Sequence, residues 1–279
     1  RGVDTPQTTR KYTTQGAISK KLAELFELEN TPLDSPKPIE MIMEFGAWFT
    51  DSNSVIIDFF SGSATTAHAV MQLNAEDGGN RKFIMIQLPE KTDEKSDAYI
   101  AGYKTIAEIG KERIRRAGKK IAALSNSPNG GEMSLPFGEE RRGLDIGFRV
   151  FKLASSNMQD VYYRPQDYKQ ANLDLFADNI KEGRPPMDLV TQVMLDWGLP
   201  LSLKIEETTV AGKQVFKVAG NSLFACFSEG IDEAFAKEVA KEQPLRIVFR
   251  DSSFASDTAK ENVKQLLKQL SSETEMRVI

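Results

Sequence analysis

The stretch VIIDFFSGSATTAHAV, Val55 to Val70, decides how this chain reads. VIIDFF (55–60) is a short apolar run rich in β-branched residues, the pattern of a buried strand of the parallel kind. It stops at a small-residue turn, and a helix-compatible segment, about 64–73, follows at once. NAEDGGN (74–80) has the chemistry of a loop, and KFIMIQL (82–88) reads as a second buried strand closed by Pro89. Strand, helix and strand in this compass predict a βαβ unit with a right-handed crossover.

The turn after the first strand is where open α/β sheets bind ligands. A helix start offers unpaired N–H groups and partial positive charge, and small residues let a ligand approach the backbone. On its own the Gly-Ser turn is equally a structural connection. Phosphate fits poorly as the ligand. The P-loop pattern GxxxxGK followed by Ser or Thr is absent, and GxGxxG fails because Ala64 and Ala67 stand in the later glycine places. An adenosyl-methionine group, which has no phosphate, needs fewer glycines.

The bulk of the chain sets the bounds. It has 279 residues, 40% hydrophobic and 27% charged, with a formal charge of -4. That is room for one large domain or two ordinary ones, and no global basic field marks it as a nucleic-acid binder. A single cysteine, Cys226, excludes an internal disulfide and reads as a small buried hydrophobe. With His68 the only histidine, a Cys/His zinc site within the chain is not expected, and no metal site is assigned. No signal peptide and no long apolar run appear, which predicts a cytoplasmic protein with no membrane partner. The first residues, RGVDTPQTTRKYTTQG, carry no initiator methionine and no periodicity.

Further along, residues 17–27 and the segment from Ile39 to about Thr50 show helical spacing, separated by the Pro-rich loop TPLDSPKP (31–38). Residues 97–117 predict one longer helix, ending in the basic run KERIRRAGKK; contact with DNA phosphates or with another part of a longer protein, and a plainly solvated helix face, are equally good readings of that run. SNSPNGGEMSLPFGEE (125–140) is the best internal boundary. FRVFKL (148–153) alternates as a strand. DYKQANLDLF and PMDLVTQVMLDW read as helices. LSLKIEETTV and KQVFKVA form a hairpin around Ala211-Gly212. LFACF, IDEAFAKEVAKE, LRIVFRD, SDTAKENVKQLLKQL and EMRVI close the chain as β-α-β-α-β, with Ser256 or Asp257 as a helix cap. Asp251-Ser252-Ser253-Phe254 reads as a turn plus cap. Tyr162, Tyr163 and Arg164 fit a strand edge better than a base-stacking site.

SPKP (35–38), DFFSGSATTAHAV (58–70) and EDGGNRKFIMIQLPE (76–90) closely resemble the Mod subunit of type III restriction-modification systems. The resemblance continues through YKTIAEIGKERIRRAGKKI, FRVFKLASSN, VYYRPQDYKQANLDLF, KIEETTVAGKQVF and VFRDSSF, so it covers nearly the whole chain. These are adenine-specific DNA methyltransferases that use S-adenosylmethionine. The resemblance implies an α/β fold: part of a Rossmann-like methyltransferase sheet, then a smaller α/β C-terminal domain. The divisions expected are a lead-in at 1–30, a cofactor-binding part at 31–145 and a C-terminal domain at 146–279.

It also implies site residues. The family's FxGxG motif corresponds to Phe60-Ser61-Gly62-Ser63-Ala64, preceded by Asp58 and Phe59. Thr65 and Thr66 open the helix where the methionine carboxylate is expected. Lys37 and Pro38 border the cofactor, and the ribose acceptor falls at Gln87 or Glu90. Ala64 stands where the family has glycine. At positive φ an alanine costs ~1 kcal/mol or more, and its Cβ is expected to crowd the ligand. His68 is a general-base candidate but fits packing better.

No catalytic residue is assigned. The amino-methyltransferase motif, a polar residue then Pro-Pro and an aromatic, is absent; Arg184-Pro185-Pro186-Met187 has only the prolines. The chain therefore reads as the C-terminal part of a longer Mod protein, inactive alone. Its expected partners are double-stranded DNA through the full-length protein, a second Mod copy in a homodimer, and the restriction (helicase-nuclease) subunit. Two other readings stand beside this one: a non-catalytic module for oligomerisation or restriction-subunit docking, and an unrelated Rossmann-like nucleotide-binding protein.

Overall fold

The computed structural model describes residues 14–125, 144–159 and 180–279. Within it β1 (Val55–Asp58) and β2 (Lys82–Met85) pair in parallel, Val55 opposite Lys82 and Asp58 opposite Met85. α3 (Thr65–Asp77) connects them. Its apolar residues face Ile114, Ala117 and Ile121, with Phe83 and Met85 of β2 packed against the same cluster.

α3 runs further than its sequence suggests. Asn74, Ala75, Glu76 and Asp77 are helical, and Gly78 ends the helix at φ 71° with its N–H on the Asn74 carbonyl. Asn74 then ties the helix to the next strand. Its side chain donates to the Arg81 carbonyl (2.9 Å) and accepts from the Arg81 N–H (3.1 Å). Arg81, itself buried, pairs with Asp77 at 2.8 Å.

The predicted long helix over 97–117 is two helices. α4 (Asp97–Ile100) is capped by Ser96, whose side chain accepts from the Tyr99 N–H. Gly102, at φ 100°, breaks the path, and α5 (Ile106–Ser125) starts afresh. Ahead of the strands, α1 (Gln15–Phe26) buries Leu22 and Phe26 against Ala98 and Ile109. α2 (Ile39–Phe49) packs on α3 and has no fully buried residue.

The two strands are not buried on both faces, as their apolar sequence predicts. Phe83 and Met85 are partly buried against α3 and α5, while Val55 (54% exposed), Ile57 (49%), Ile84 (47%) and Leu88 (62%) leave the other face bare.

The chain divides into two compact units, 1–148 and 149–279. In the second, five strands lie in the order β3-β4-β5-β6-β7: β3 (Ile205–Val210), β4 (Lys213–Val218), β5 (Leu223–Cys226), β6 (Arg246–Phe249) and β7 (Glu275–Val278). β3 and β4 form the predicted hairpin, with Ala211 and Gly212 both at positive φ, as a two-residue hairpin turn requires. β5, β6 and β7 are parallel. Their crossovers are α7 (Glu233–Ala240) and α8 (Asp257–Leu270), whose residues pack with Phe224, Ile247 and Phe249. α6 (Pro186–Asp196) covers the opposite face through Val190, Val193 and Met194. Cys226 is fully buried in the first of these clusters. Ser256 caps α8, accepting from the Ala259 N–H at 3.2 Å, and Asp251–Ser253 is one 3-10 turn.

FRVFKL does not form a strand. Residues 148–155 have no ladder partner, and Leu153 stands fully in solvent; alternation shows which faces a strand would have, not that a neighbour exists to bond it. The expected loop over 126–140, the helix over 167–176 and Tyr162, Tyr163 and Arg164 lie outside the described residues.

Candidate functional site

β1 ends at Asp58, and the chain must reverse into α3 within six residues. Phe59 and Phe60 lie at the head of this turn, exposed at 64% and 88%. Asp58 braces it with both carboxylate oxygens. Oδ1 accepts from the Phe60 N–H (3.2 Å), and Oδ2 accepts from the Thr66 hydroxyl (2.6 Å). Gly62 and Ala64 are both left-handed, at φ 51° and 59°. The Ala64 N–H bonds the Ser61 carbonyl at 2.7 Å, which closes the turn.

Ala64 is thus in the strained conformation that the sequence singles out. Its methyl does not crowd an open crevice, however. It is 1% exposed and packs with Ala67, Met71 and Ile114.

β2 supplies a second anchor. The Ser61 N–H reaches the Ile86 carbonyl (3.2 Å), and the Gly62 N–H reaches Gln87 Oε1 (2.8 Å). The Gln87 side chain therefore holds the turn. Glu90 is exposed, its side chain has no hydrogen bond or ion pair among the described residues, and its carbonyl accepts from the first N–H of α5 at 2.9 Å. Lys37 is exposed, and no hydrogen bond or ion pair ties it to the turn; Pro38 immediately precedes α2.

Two site residues escaped the sequence reading, and both lie on α5. At Gly110 an added Cβ would come within 3.1 Å of the Gly62 carbonyl and 3.5 Å of the Ala64 Cβ. A side chain there would need the helix and the turn to separate by a few tenths of an ångström. One helical turn further on, Arg113 is 2% exposed and reaches Ser63 Oγ at 2.7 Å and Thr65 Oγ1 at 2.8 Å. Burial lowers its pKa to about 10, so it stays charged at neutral pH. The signal was present: Ile109, Arg113, Ala117 and Ile121 recur every four residues, which puts a charge on an apolar stripe.

His68, on the next turn of α3, faces away toward α2. It lines an open groove of about 460 Å³ with Glu40, Met43, Glu44 and Gln72. Burial first, then the charges of Arg113 and Lys120, hold its pKa down at about 3 against an opposing pull from Glu40. It is a neutral imidazole at ordinary pH. Two more cations of the basic run are paired: Arg116 with Glu112 (2.8 Å) and Glu27 (3.4 Å), and Arg115 with Glu112 (3.5 Å).

The arrangement defines a class. It is an α/β unit whose first strand passes through a turn with two left-handed residues, Gly62 and Ala64, into a helix start lined with hydroxyls and N–H groups.

Within that class the chain is a relative of the Mod subunits of type III restriction-modification enzymes. It is 36% identical over 142 residues, 51% of its length, to the StyLTI Mod subunit of Salmonella typhimurium, where the match spans 19% of that protein. It is 29% identical over 246 residues, 85% of its length, to the EcoP15I Mod subunit of Escherichia coli, spanning 34% of it. Over 81 residues it is 37% identical to the type II methyltransferase M.KpnI of Klebsiella pneumoniae, 29% of this chain and 19% of that one. The chain therefore spans between 19% and 34% of the length of the curated relatives named here. No protein-family model matches it. Among the described residues no helix is long and apolar enough to cross a membrane.

Proposed function

We propose that this chain is the S-adenosylmethionine-binding portion, C-terminal in the whole protein, of a DNA adenine-N6 methyltransferase of a type III restriction-modification system. The observation that carries the reading is the turn Ser61–Thr66. It is pre-shaped by Asp58 and Gln87 and opens on the start of α3, in a chain related to Mod subunits.

The residues fit the group. The first free N–H groups of α3 and the unspent hydroxyl proton of Thr65 suit the methionine carboxylate, while the Thr66 hydroxyl is already donated to Asp58 and holds the helix start in place. Gly62 permits close approach of the backbone. Glu90 suits the ribose hydroxyls, because Gln87 Oε1 is already used by the Gly62 N–H. Phe59 and Phe60 offer exposed aromatic surface near the turn. S-adenosylmethionine would supply an activated methyl group for an adenine amino nitrogen. The chain's own residues bind and orient it, and the target-gripping motif is absent from the sequence.

The bare β1–β2 face supports the further reading that this portion completes its fold and its activity with other parts of a longer protein. Double-stranded DNA, a second Mod copy and the restriction subunit are the partners that go with that role. The cytoplasm is the matching location.

Calorimetric titration with S-adenosylhomocysteine, NAD and ATP tests the reading. Binding of S-adenosylhomocysteine alone, one per chain, is the expected result, with no methylation of an adenine-containing duplex by this chain. Binding of NAD or ATP instead would replace the reading with that of an unrelated nucleotide binder.

A further inference from the structure

Arg113 is a buried cation. Among the described residues no carboxylate pairs with it, and its Nε is buried with no hydrogen-bond partner. A guanidinium taken out of water without a carboxylate is destabilising, because its hydration is lost with no opposite charge to replace it. Among the described residues its hydrogen bonds go to Ser63 and Thr65, on either side of Ala64.

Each of those hydroxyls accepts from the guanidinium. A hydroxyl that accepts still has its own proton to donate, and neither Ser63 nor Thr65 donates a hydrogen bond among the described residues. Both are buried, Ser63 at 3% and Thr65 at 6% exposed. Behind the turn, then, lies a cluster rich in unspent donors: a cation, two hydroxyls that accept from it and keep their own protons, and the open N–H groups of α3.

We propose that Arg113 is the positioning and specificity residue of this site. It fixes Ser63 and Thr65 in place, and its charge makes the start of α3 select a nucleoside that carries a carboxylate. This rests on the reading of the turn as an S-adenosylmethionine site and goes beyond it, because it assigns discrimination of the amino-acid end to a side chain on α5.

The test compares S-adenosylhomocysteine with 5′-methylthioadenosine, which keeps the adenosine and sulfur but lacks the amino-acid carboxylate. The wild-type chain should prefer S-adenosylhomocysteine. Arg113→Gln should reduce that preference tenfold or more, chiefly through loss of S-adenosylhomocysteine affinity. Arg113→Lys, which keeps the charge but not the two-pronged grip, should bind both ligands more weakly and keep the preference within about threefold. If Arg113→Gln keeps the wild-type preference, or if Arg113→Lys loses it, the charge assignment is overturned. Should Arg113→Gln fail to fold, the Lys variant alone decides by the same criterion. Equal binding of both nucleosides by the wild type overturns this proposal and leaves the cofactor reading standing. Binding of neither overturns both.

Discussion

Ala64 holds φ 59° and ψ 43° at the mouth of α3, a conformation that glycine adopts freely and alanine does not. Replacing it by glycine removes a left-handed penalty of ~1–2 kcal/mol. The same change deletes a fully buried methyl worth ~0.8 kcal/mol and adds backbone entropy to the unfolded chain. The two sides nearly cancel, so Ala64→Gly is expected to shift stability by less than about 1 kcal/mol in urea melts. Gly110 is the opposite case. A methyl there meets the Gly62 carbonyl at 3.1 Å, and backbone cannot rotate aside as a side chain can. Gly110→Ala should cost ~1–3 kcal/mol and weaken nucleoside binding, because α5 must back away from the turn. Stability and affinity both unchanged would show that the turn does not depend on that contact. The sequence made Gly62 and Ala64 legible, because a turn between apolar runs announces itself. Gly110 was not legible: a glycine inside a helix is locally a defect, and only the approach of another element explains it.

α3 does two jobs on two faces. Its start points donors into the turn, while His68 on the α2 side is held neutral. The pKa of His68 is about 3 folded and near 6.5 unfolded, so between those values the unfolded chain binds the extra proton. Stability contributed by the neutral imidazole is therefore complete above about pH 7 and is lost as pH falls toward 3. At pH 5 the loss from this group is about 2 kcal/mol. His68→Gln, with no such proton to bind, should show a flatter fall in stability between pH 7 and pH 5; an unaltered slope in the variant would remove His68 as the cause. Elements also mark where the sequence could mislead. Periodicity ran straight through Gly102 and joined α4 to α5, because Ile100, Tyr103, Ile106 and Ile109 follow one another at spacings of three, yet Ile100 is 75% exposed. FRVFKL alternated without a neighbour to pair with. The hairpin and the closing β-α-β-α-β run were readable because turns, caps and lengths there agree with the pattern.

At the scale of the molecule the two units differ in completeness. The second closes its own sheet, with helices on both faces and two apolar clusters. The first has two parallel strands with one face bare, and an exposed aromatic group, Phe45, Trp48 and Phe49, on α2. Its α/β character could be read from 70 residues of sequence about as well as from the structure, whereas the exposed face could not, since an apolar strand looks the same whether or not it is covered. What the first unit does have whole is the turn, with its braces from β1, β2 and α5 all present. The central claim is that this turn takes the cofactor in the isolated chain. Amide NMR of the 15N-labelled chain during titration with S-adenosylhomocysteine tests it most directly. Saturable shifts at Gly62, Ala64, Thr65, Thr66 and Glu90, with residues 205–279 unmoved, are the predicted result; a ligand that saturates while the Gly62–Thr66 amides stay in place would contradict it.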